Sequence, residues 1–248
     1  MADRDSRADG SLRLATWNIH YGIGTDGRFD LERTLSVLNS IDADVIGLQE
    51  VGWHRQSHNQ TDVFTFLREN TDYEVVEGLV RDPLRSRFGN AILSRLPVRR
   101  TQWIDLKVRG HVPRAAILAE VETGGAPVSV VSLHLGLATW ERERQAQRLV
   151  DALVPDLQTG RDAAAPPAAL LGDFNMLRPR TRASQILTER FPTAVRKPTY
   201  PVRTPMLSLD RIYLSPEWEL TEAEVVRDDI AVTASDHLPL VAEAKLSL

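Results

Sequence analysis

Leu12-Arg-Leu-Ala-Thr-Trp-Asn18-Ile-His20, then Asp30-Leu-Glu-Arg-Thr-Leu-Ser-Val-Leu38, then Asp44-Val-Ile-Gly-Leu-Gln-Glu50: this opening stretch decides the fold. The first and third pieces are short apolar runs bounded by polar turns, the mark of buried strands. Between them Leu31, Leu35 and Leu38 recur at helical spacing, and Asp30 stands where an N-cap belongs. The result is a strand–helix–strand unit. Its two strands end on Asn18 and Glu50.

The second half repeats the plan. Val128–Leu133 reads as a strand that ends at His134. Thr139 caps a helix with Glu141 and Glu143 in its first turn, where carboxylates suit the positive helix end. Ala146, Leu149, Val150 and Leu153 form its buried stripe. The run Ala163-Ala-Ala-Pro-Pro-Ala-Ala169 is a surface connection, and Ala169–Leu171 leads into Gly172-Asp173. Asn18 and Glu50 in one unit therefore stand against His134 and Asp173 in the other, with no residue-level repeat. Ala91–Leu93, Trp103–Val108 and Ala115–Val121 read as shorter alternating strands, and Leu207–Leu214 and Leu238–Lys245 as late ones. With strands outnumbering helices, an α/β sandwich of two packed sheets with outer helices fits better than a barrel. Residues 1–10 read as a disordered lead-in and 11–248 as one domain.

Bulk composition narrows the class. The 248 residues suffice for a large core, and 42% hydrophobic with 26% charged residues is ordinary for a soluble globular protein. The net charge of −4 and a pI near 5.9 argue against a surface built mainly for nucleic acid. Arginine far outnumbers lysine, which looks like a composition bias and lowers the weight of any arginine cluster. The absence of cysteine excludes disulfides, thiolate zinc sites and a cysteine nucleophile together. The polar N-terminus has no apolar signal core, and no apolar stretch approaches the ~18 residues needed to span a bilayer. A cytoplasmic monomer without a transmembrane segment is the expectation.

The chemistry sits at the strand ends, where ligands of such sheets bind. The polar tips there are rich in oxygen donors and include two histidines, which favours a hard cation such as magnesium. A carboxylate like Glu50 at a buried strand end is costly to desolvate unless a cation or donors compensate it. An exposed Glu just past the strand is the plain alternative. Asn18 alone could simply close a strand. Asp236-His237 can put one group on a metal and the other on substrate. Gly172-Asp173-Phe174-Asn175 is the most specific stretch: the glycine allows close backbone approach, and in extended chain Asp173 and Asn175 point to one side. One can orient or deprotonate a water while the other donates to an oxyanion. Asp210 lies inside a strand where a free charge is unwelcome, and His237 is its natural partner.

In order along the chain, Thr16-Trp-Asn18-Ile-His, Leu48-Gln-Glu50-Val, Gly89-Asn90-Ala-Ile-Leu-Ser94, Ser132-Leu-His134-Leu, Gly172-Asp173-Phe-Asn175, Leu209-Asp210-Arg-Ile-Tyr and Ser235-Asp236-His237 resemble the endonuclease/exonuclease/phosphatase superfamily. They span about residues 12–244. The resemblance implies a four-layer, DNase I-like α/β sandwich with two packed mixed sheets flanked by helices. It implies Glu50 as principal Mg²⁺ ligand, with Asn18 and Asp236 near the metal and Mn²⁺ as a substitute. Asp173 would position and deprotonate the attacking water, Asn175 would hold a phosphoryl oxygen, and His134 and His237 would donate to the phosphoryl group. Asp210 would orient His237, as a carboxylate orients an imidazole in a triad. Asn90 is divided between substrate contact and turn formation, and Arg114 between phosphate contact and an ordinary surface role. Arg211 has no assigned role.

Three readings follow. The first is a divalent-metal-dependent phosphoesterase, acting on a small-molecule or lipid-head-group phosphodiester rather than a duplex, whose binding needs many phosphate contacts. The loop 51–60, Arg81–Arg87 and Pro198–Pro205 would shape its pocket mouth, with Trp53 and Tyr200 as candidate grips. The second is a DNA endonuclease with Arg81, Arg85, Arg87, Arg99 and Arg100 along a groove. The third is a non-catalytic binding module. Other signals are weaker: Gly22-Ile-Gly24-Thr-Asp-Gly27 spells a dinucleotide glycine pattern but reads as a turn, His54 and His58 lack a third zinc ligand, and no Gly-x-Ser-x-Gly elbow is present.

Overall fold

The computed structural model describes residues 11–52, 62–80, 87–124, 126–153 and 165–247. The lead-in 1–10, Trp53, His54, His58, Arg81 and Arg85 lie outside them. Strand β1 (Ser11–Asn18) pairs in parallel with β2 (Val45–Gly52) through helix α1 (Leu31–Ile41). Asp30 caps α1 by accepting from Arg33 N at 3.0 Å. The buried face of α1 is Leu31, Thr34, Val37, Leu38 and Ile41; Leu35 lies only half-buried.

After α2 (Val63–Asn70) come β3 (Glu74–Leu79) and β4 (Phe88–Ser94). Next are β5 (Val98–Asp105), β6 (Ala115–Thr123) and β7 (Ala126–His134). Helix α3 (Thr139–Leu153) then joins β7 to its parallel neighbour β8 (Ala168–Asp173). The chain continues through α4 (Arg182–Arg190), β9 (Thr193–Val195), β10 (Asp210–Leu214), β11 (Trp218–Val225), α5 (Asp229–Ala234) and β12 (Leu240–Leu246). One sheet runs β11-β12-β1-β2-β4-β3 and the other β5-β6-β7-β8-β10-β9. Each holds one parallel pair among antiparallel neighbours, so both are mixed.

Strand alternation sorts the apolar side chains into three layers. Leu12, Leu14, Val45, Val130, Leu171 and Ile212 face inward and fill the space between the sheets. Ala15, Trp17, Ile46 and Leu48 face outward beneath α1, α2 and α5. Val131, Leu133, Leu170 and Tyr213 face the other way, beneath α3 and α4. Helices, sheet, sheet and helices make the four-layer, DNase I-like sandwich expected from the motifs. No helix among the described residues is long and apolar enough to cross a membrane.

The sheets approach most closely under the parallel pairs. A Cβ on Gly47 would lie 2.7 Å from Leu171 Cβ, so only glycine lets β2 seat on β8 there. Ser132 Oγ donates across the gap to Leu48 O at 3.1 Å, and Gln49 Nε2 donates back to Ser132 Oγ at 3.3 Å. This close seam lies one to three residues below Asn18, Glu50, His134 and Asp173.

Candidate active site

Register brings the four strand ends level. Asn18 lies opposite Gln49 in one parallel pair, and His134 lies opposite Asp173 in the other. Asn18 reaches across the gap and donates from Nδ2 to Asp173 Oδ2 at 3.3 Å. Its Oδ1 accepts from His20 N at 3.0 Å, fixing the turn that follows β1.

Glu50 needs a device to join them. Leu48 packs on the outer face of its sheet and Gln49 points between the sheets. Regular alternation would therefore send Glu50 outward. A bulge against β4 and a left-handed φ of 55° redirect it. Such backbone costs on the order of 1 kcal/mol for a residue with a Cβ, and strain of this kind collects at functional sites. Glu50 Oε1 then lies 3.8 Å from His134 Nδ1, its side chain 20% exposed. Burial lifts the Glu50 carboxyl above the usual carboxylate range, and the charges of Asp173 and Asp236 add to this, against the pull of His20 and Asn18. The site thus concentrates negative charge that protein groups do not fully balance.

The stretch after β8 is bent, which corrects the extended reading of Asp173 and Asn175. Asp173 Oδ1 accepts from Asn175 N at 2.9 Å and holds Asn175 at a φ of 51°. The turn still brings both side chains onto His134. Asn175 Nδ2 donates to Leu135 O at 2.9 Å, which fixes the amide's orientation. Its other hydrogen faces His134 Nε2 at 3.0 Å, so Nε2 accepts and the ring proton resides on Nδ1. Burial, reinforced by Arg114, pushes His134 down to about 3, so the ring is neutral. Its Nδ1 is buried without a hydrogen-bond partner. A buried N–H left unpaired is rare and marks a place for a ligand oxygen.

The second imidazole is the opposite case. His237 Nδ1 lies 2.8 Å from Asp210 Oδ2, which also accepts from Thr199 Oγ1 at 2.5 Å. His237 Nε2 points toward Asp173 Oδ2 at 3.9 Å. Burial opposes charging of His237, but Asp210, Asp173 and Asp236 outweigh it and lift the ring to about 10. At neutral pH one imidazole is neutral and the other cationic, on either side of one carboxylate. Tyr200 covers His237, ring centroids 4.8 Å apart.

Asp236 stands half-buried at the rim beside Ser235, whose Oγ donates to Asn18 O at 2.7 Å. Arg114 is half-buried, with its Nε buried and unpartnered, and feels Glu50 and Asp173 most among the acids; burial lowers its pKa. Asn90 is inside β4, so it forms no turn, and donates from Nδ2 to Ala115 O at 2.8 Å beside Arg114.

Several contributors escaped the sequence reading. Thr199 and Ser235 brace Asp210 and Asn18, yet a lone hydroxyl has no pattern to find it by. Glu141 holds the expected first-turn place and is buried there: it accepts from Gln145 Nε2 at 3.2 Å and lies 3.1 Å from His111 Nδ1. Thr139 is the first residue of α3 rather than its cap, and Val150 and Leu153 are only half-buried. Arg211 is fully buried and donates to the carbonyls of Met176 at 2.8 Å and Ser208 at 3.1 Å, tying the turn after Asp173 to β10. Of the arginines expected along a DNA groove, the three among the described residues are otherwise engaged: Arg87 pairs with Glu77 and Asp62, Arg99 with Glu122 and Arg100 with Glu120.

Acids, amides and two unlike imidazoles meeting over the seam of a four-layer sandwich define a hydrolytic class of site. The chain belongs to the endonuclease/exonuclease/phosphatase family, whose model matches residues 15–237. Members of that family are hydrolases of phosphoester bonds. The chain is similar to the uncharacterized protein YbhP of Escherichia coli (strain K12), at 29% identity over 252 residues, covering 95% of this chain and 97% of YbhP. Its fold is similar to the Bacteroides thetaiotaomicron mannosyl-6-phosphatase Bt3783, with a TM-score of 0.73, 19% identity and coverage of 94% and 99%. It is also similar to D. rerio TDP2 complexed with single-strand DNA product, with a TM-score of 0.68, 17% identity and coverage of 96% and 100%. At such identities these two likenesses concern the fold alone.

Proposed function

We propose that this protein is a Mg²⁺-dependent phosphodiesterase that hydrolyses a small-molecule or lipid-head-group phosphodiester by in-line attack of water. The observation that carries the reading is the pair of imidazoles on either side of Asp173, His134 with a buried, unpartnered Nδ1 and His237 held by Asp210 at 2.8 Å. An acceptor for a water proton and donors for phosphoryl oxygens are thereby in one place.

A divalent cation fits these residues. Glu50, Asn18 and Asp236 offer hard oxygen donors, no thiol competes, and burial, with smaller contributions from Asp173 and Asp236, disfavours a Glu50 carboxylate that a cation would stabilise. Bound there, Mg²⁺ would supply Lewis-acid neutralisation of charge on the phosphoryl oxygens. The chain's own groups do the rest. Asp173 orients the attacking water and takes its proton, held in place by Asn18 and by the backbone N–H of Asn175. His134 Nδ1–H and His237 Nε2–H donate to non-bridging oxygens as charge builds on them. Asn175 spends both amide hydrogens on Leu135 O and His134 Nε2, so it holds His134 in that tautomer rather than a phosphoryl oxygen, and Arg114 and Asn90 line the approach from the β6 side.

The charge-paired state of Arg87, Arg99 and Arg100 weighs against the DNA reading. The test is a screen of bis(p-nitrophenyl) phosphate, p-nitrophenyl phosphate and supercoiled plasmid, with Mg²⁺, Mn²⁺ or EDTA. Diester hydrolysis that exceeds monoester hydrolysis and disappears in EDTA is expected. Plasmid nicking without diester turnover, or full activity in EDTA, would contradict the proposal.

A further inference from the structure

Four connections leave the second sheet at the end that carries His134, Asp173 and Asp210. Pairing of Asp105 with Ala115, Ala116 with Leu133, His134 with Asp173, Asp210 with Asp173 and Ile212 with Val195 puts connections 106–114, 135–138, 174–181 and 196–209 all at that end. Two features set them apart from the rest of the surface.

The first is apolar. Among the described residues, the four most exposed large hydrophobic side chains are Leu137 at 76%, Met206 at 73%, Leu177 at 66% and Val112 at 50%. Each stands on a different one of the four connections. Trp140, 45% exposed, follows directly at the start of α3. Single exposed aliphatics are ordinary, but one on each of four connections at the same end of one sheet is not.

The second feature is charge. The four connections contain no aspartate or glutamate, in a chain of 34 acids and net charge −4. They hold eight lysines and arginines. Arg114 turns toward the site; Lys107, Arg109, Arg178, Arg180 and Arg203 are among the exposed remainder. Lys107, Arg109 and Arg148, with Asp105 as the single acid, also border an open hollow of about 660 Å³ beside the rim. An acidic protein has thus kept these four connections free of acid, with Asp105 at their border.

We infer that this rim docks on an anionic lipid bilayer, its aliphatic side chains entering the interface and its cations meeting the lipid phosphates. Cations near an anionic leaflet and apolar groups at the acyl boundary act together in interfacial binding, and tryptophan favours that boundary. A single-stranded nucleic acid would suit the cations but calls for aromatic stacking platforms, whereas four of these five apolar side chains are aliphatic. Docking rests on the rim alone; the orientation it gives, with the catalytic strand ends facing head groups, rests on the hydrolase reading above.

The test is co-sedimentation of the full chain with phosphatidylcholine vesicles, with and without 30 mol% phosphatidylglycerol. The protein should pellet with the anionic vesicles and stay in solution with the neutral ones. Leu137→Ser/Leu177→Ser/Met206→Ser should lower the partition coefficient at least tenfold. Arg109→Glu/Arg180→Glu/Arg203→Glu should do as much or more, since each cation contributes roughly fivefold. These side chains are exposed, so both variants should melt like the parent, and if one does not, the other decides. Glu50→Gln should bind vesicles as the parent does, which separates docking from turnover. No preference for anionic vesicles, binding unmoved by both variants, or charge-dependent binding to single-stranded oligonucleotide without vesicle binding would each overturn the inference.

Discussion

Replacing Glu50 by glutamine is expected to remove divalent-ion-stimulated diester hydrolysis, by roughly 10²–10³-fold or more on the scale of losing one transition-state charge contact. The same substitution should raise the melting temperature of the ion-free protein. Both effects follow from one arrangement. Burial and the neighbouring charges of Asp173 and Asp236 lift the Glu50 carboxyl, so its ionised form is disfavoured in the folded state. A carboxyl whose folded pKa lies above its unfolded one loses stability as pH rises between the two values. At neutral pH the ion-free protein therefore carries a penalty that glutamine relieves. In the parent, Mg²⁺ should more than reverse that penalty and raise the melting temperature; in Glu50→Gln it should do little. Calorimetry in EDTA and in Mg²⁺ reads both sides. Unchanged turnover, or an equal Mg²⁺ stabilisation in the variant, would remove Glu50 from the ligand set.

Asp210→Asn should lower turnover by about 10³–10⁴-fold, the scale seen when a carboxylate that orients a catalytic imidazole is neutralised. Metal affinity should stay near that of the parent. This outcome discriminates between two uses of one cluster. Asp173, Asp210 and His237 offer ligand atoms within 4.8 Å of one another, and a metal among them is a possible geometry. The 2.8 Å contact from His237 Nδ1 to Asp210 Oδ2, shared with Thr199, is instead a hydrogen-bonded pair, and only Asp210 Oδ1 is left buried without a partner. The raised His237 pKa near 10 depends on that pair, so in the ion-free variant the ring should titrate markedly lower by NMR. Metal affinity falling in step with turnover would make Asp210 a ligand and refute the orienting role.

Much of this was legible in the residues because burial and alternation leave clear marks. Leu12–Asn18 and Val45–Glu50 are apolar enough to be central strands and polar only at their tips, and the parallel pairs β1–β2 and β7–β8 lie where those tips required. Edge elements were not legible. Strand β3 carries Glu74 and Glu77, and β11 carries Glu219, Glu222 and Glu224; charges that suit an edge hide its period. Helix α4 turns a buried face of Ala183, Ser184, Ile186 and Leu187 to the core, with only two large aliphatics to betray it. Helices α2 and α5 are shorter still. At the site, residue types could be named but not their aim. The left-handed backbone at Glu50 and Asn175, the tautomer of His134 and the burial of Glu141 arise from tertiary contacts that no local pattern encodes. Arg211 shows the same limit, since its carbonyl partners at 176 and 208 become neighbours only once β8 and β10 pair.

On the proposed reading Asn18, Glu50 and Asp236, all carried by the first sheet, hold one cation at the seam, facing His134 and Asp173 of the second. Anomalous scattering from crystals soaked in Mn²⁺ locates that ion directly. A peak against the Glu50 carboxylate, lost in Glu50→Gln crystals, is the expected result; a peak on Asp210 and His237, or none near Glu50, would contradict it.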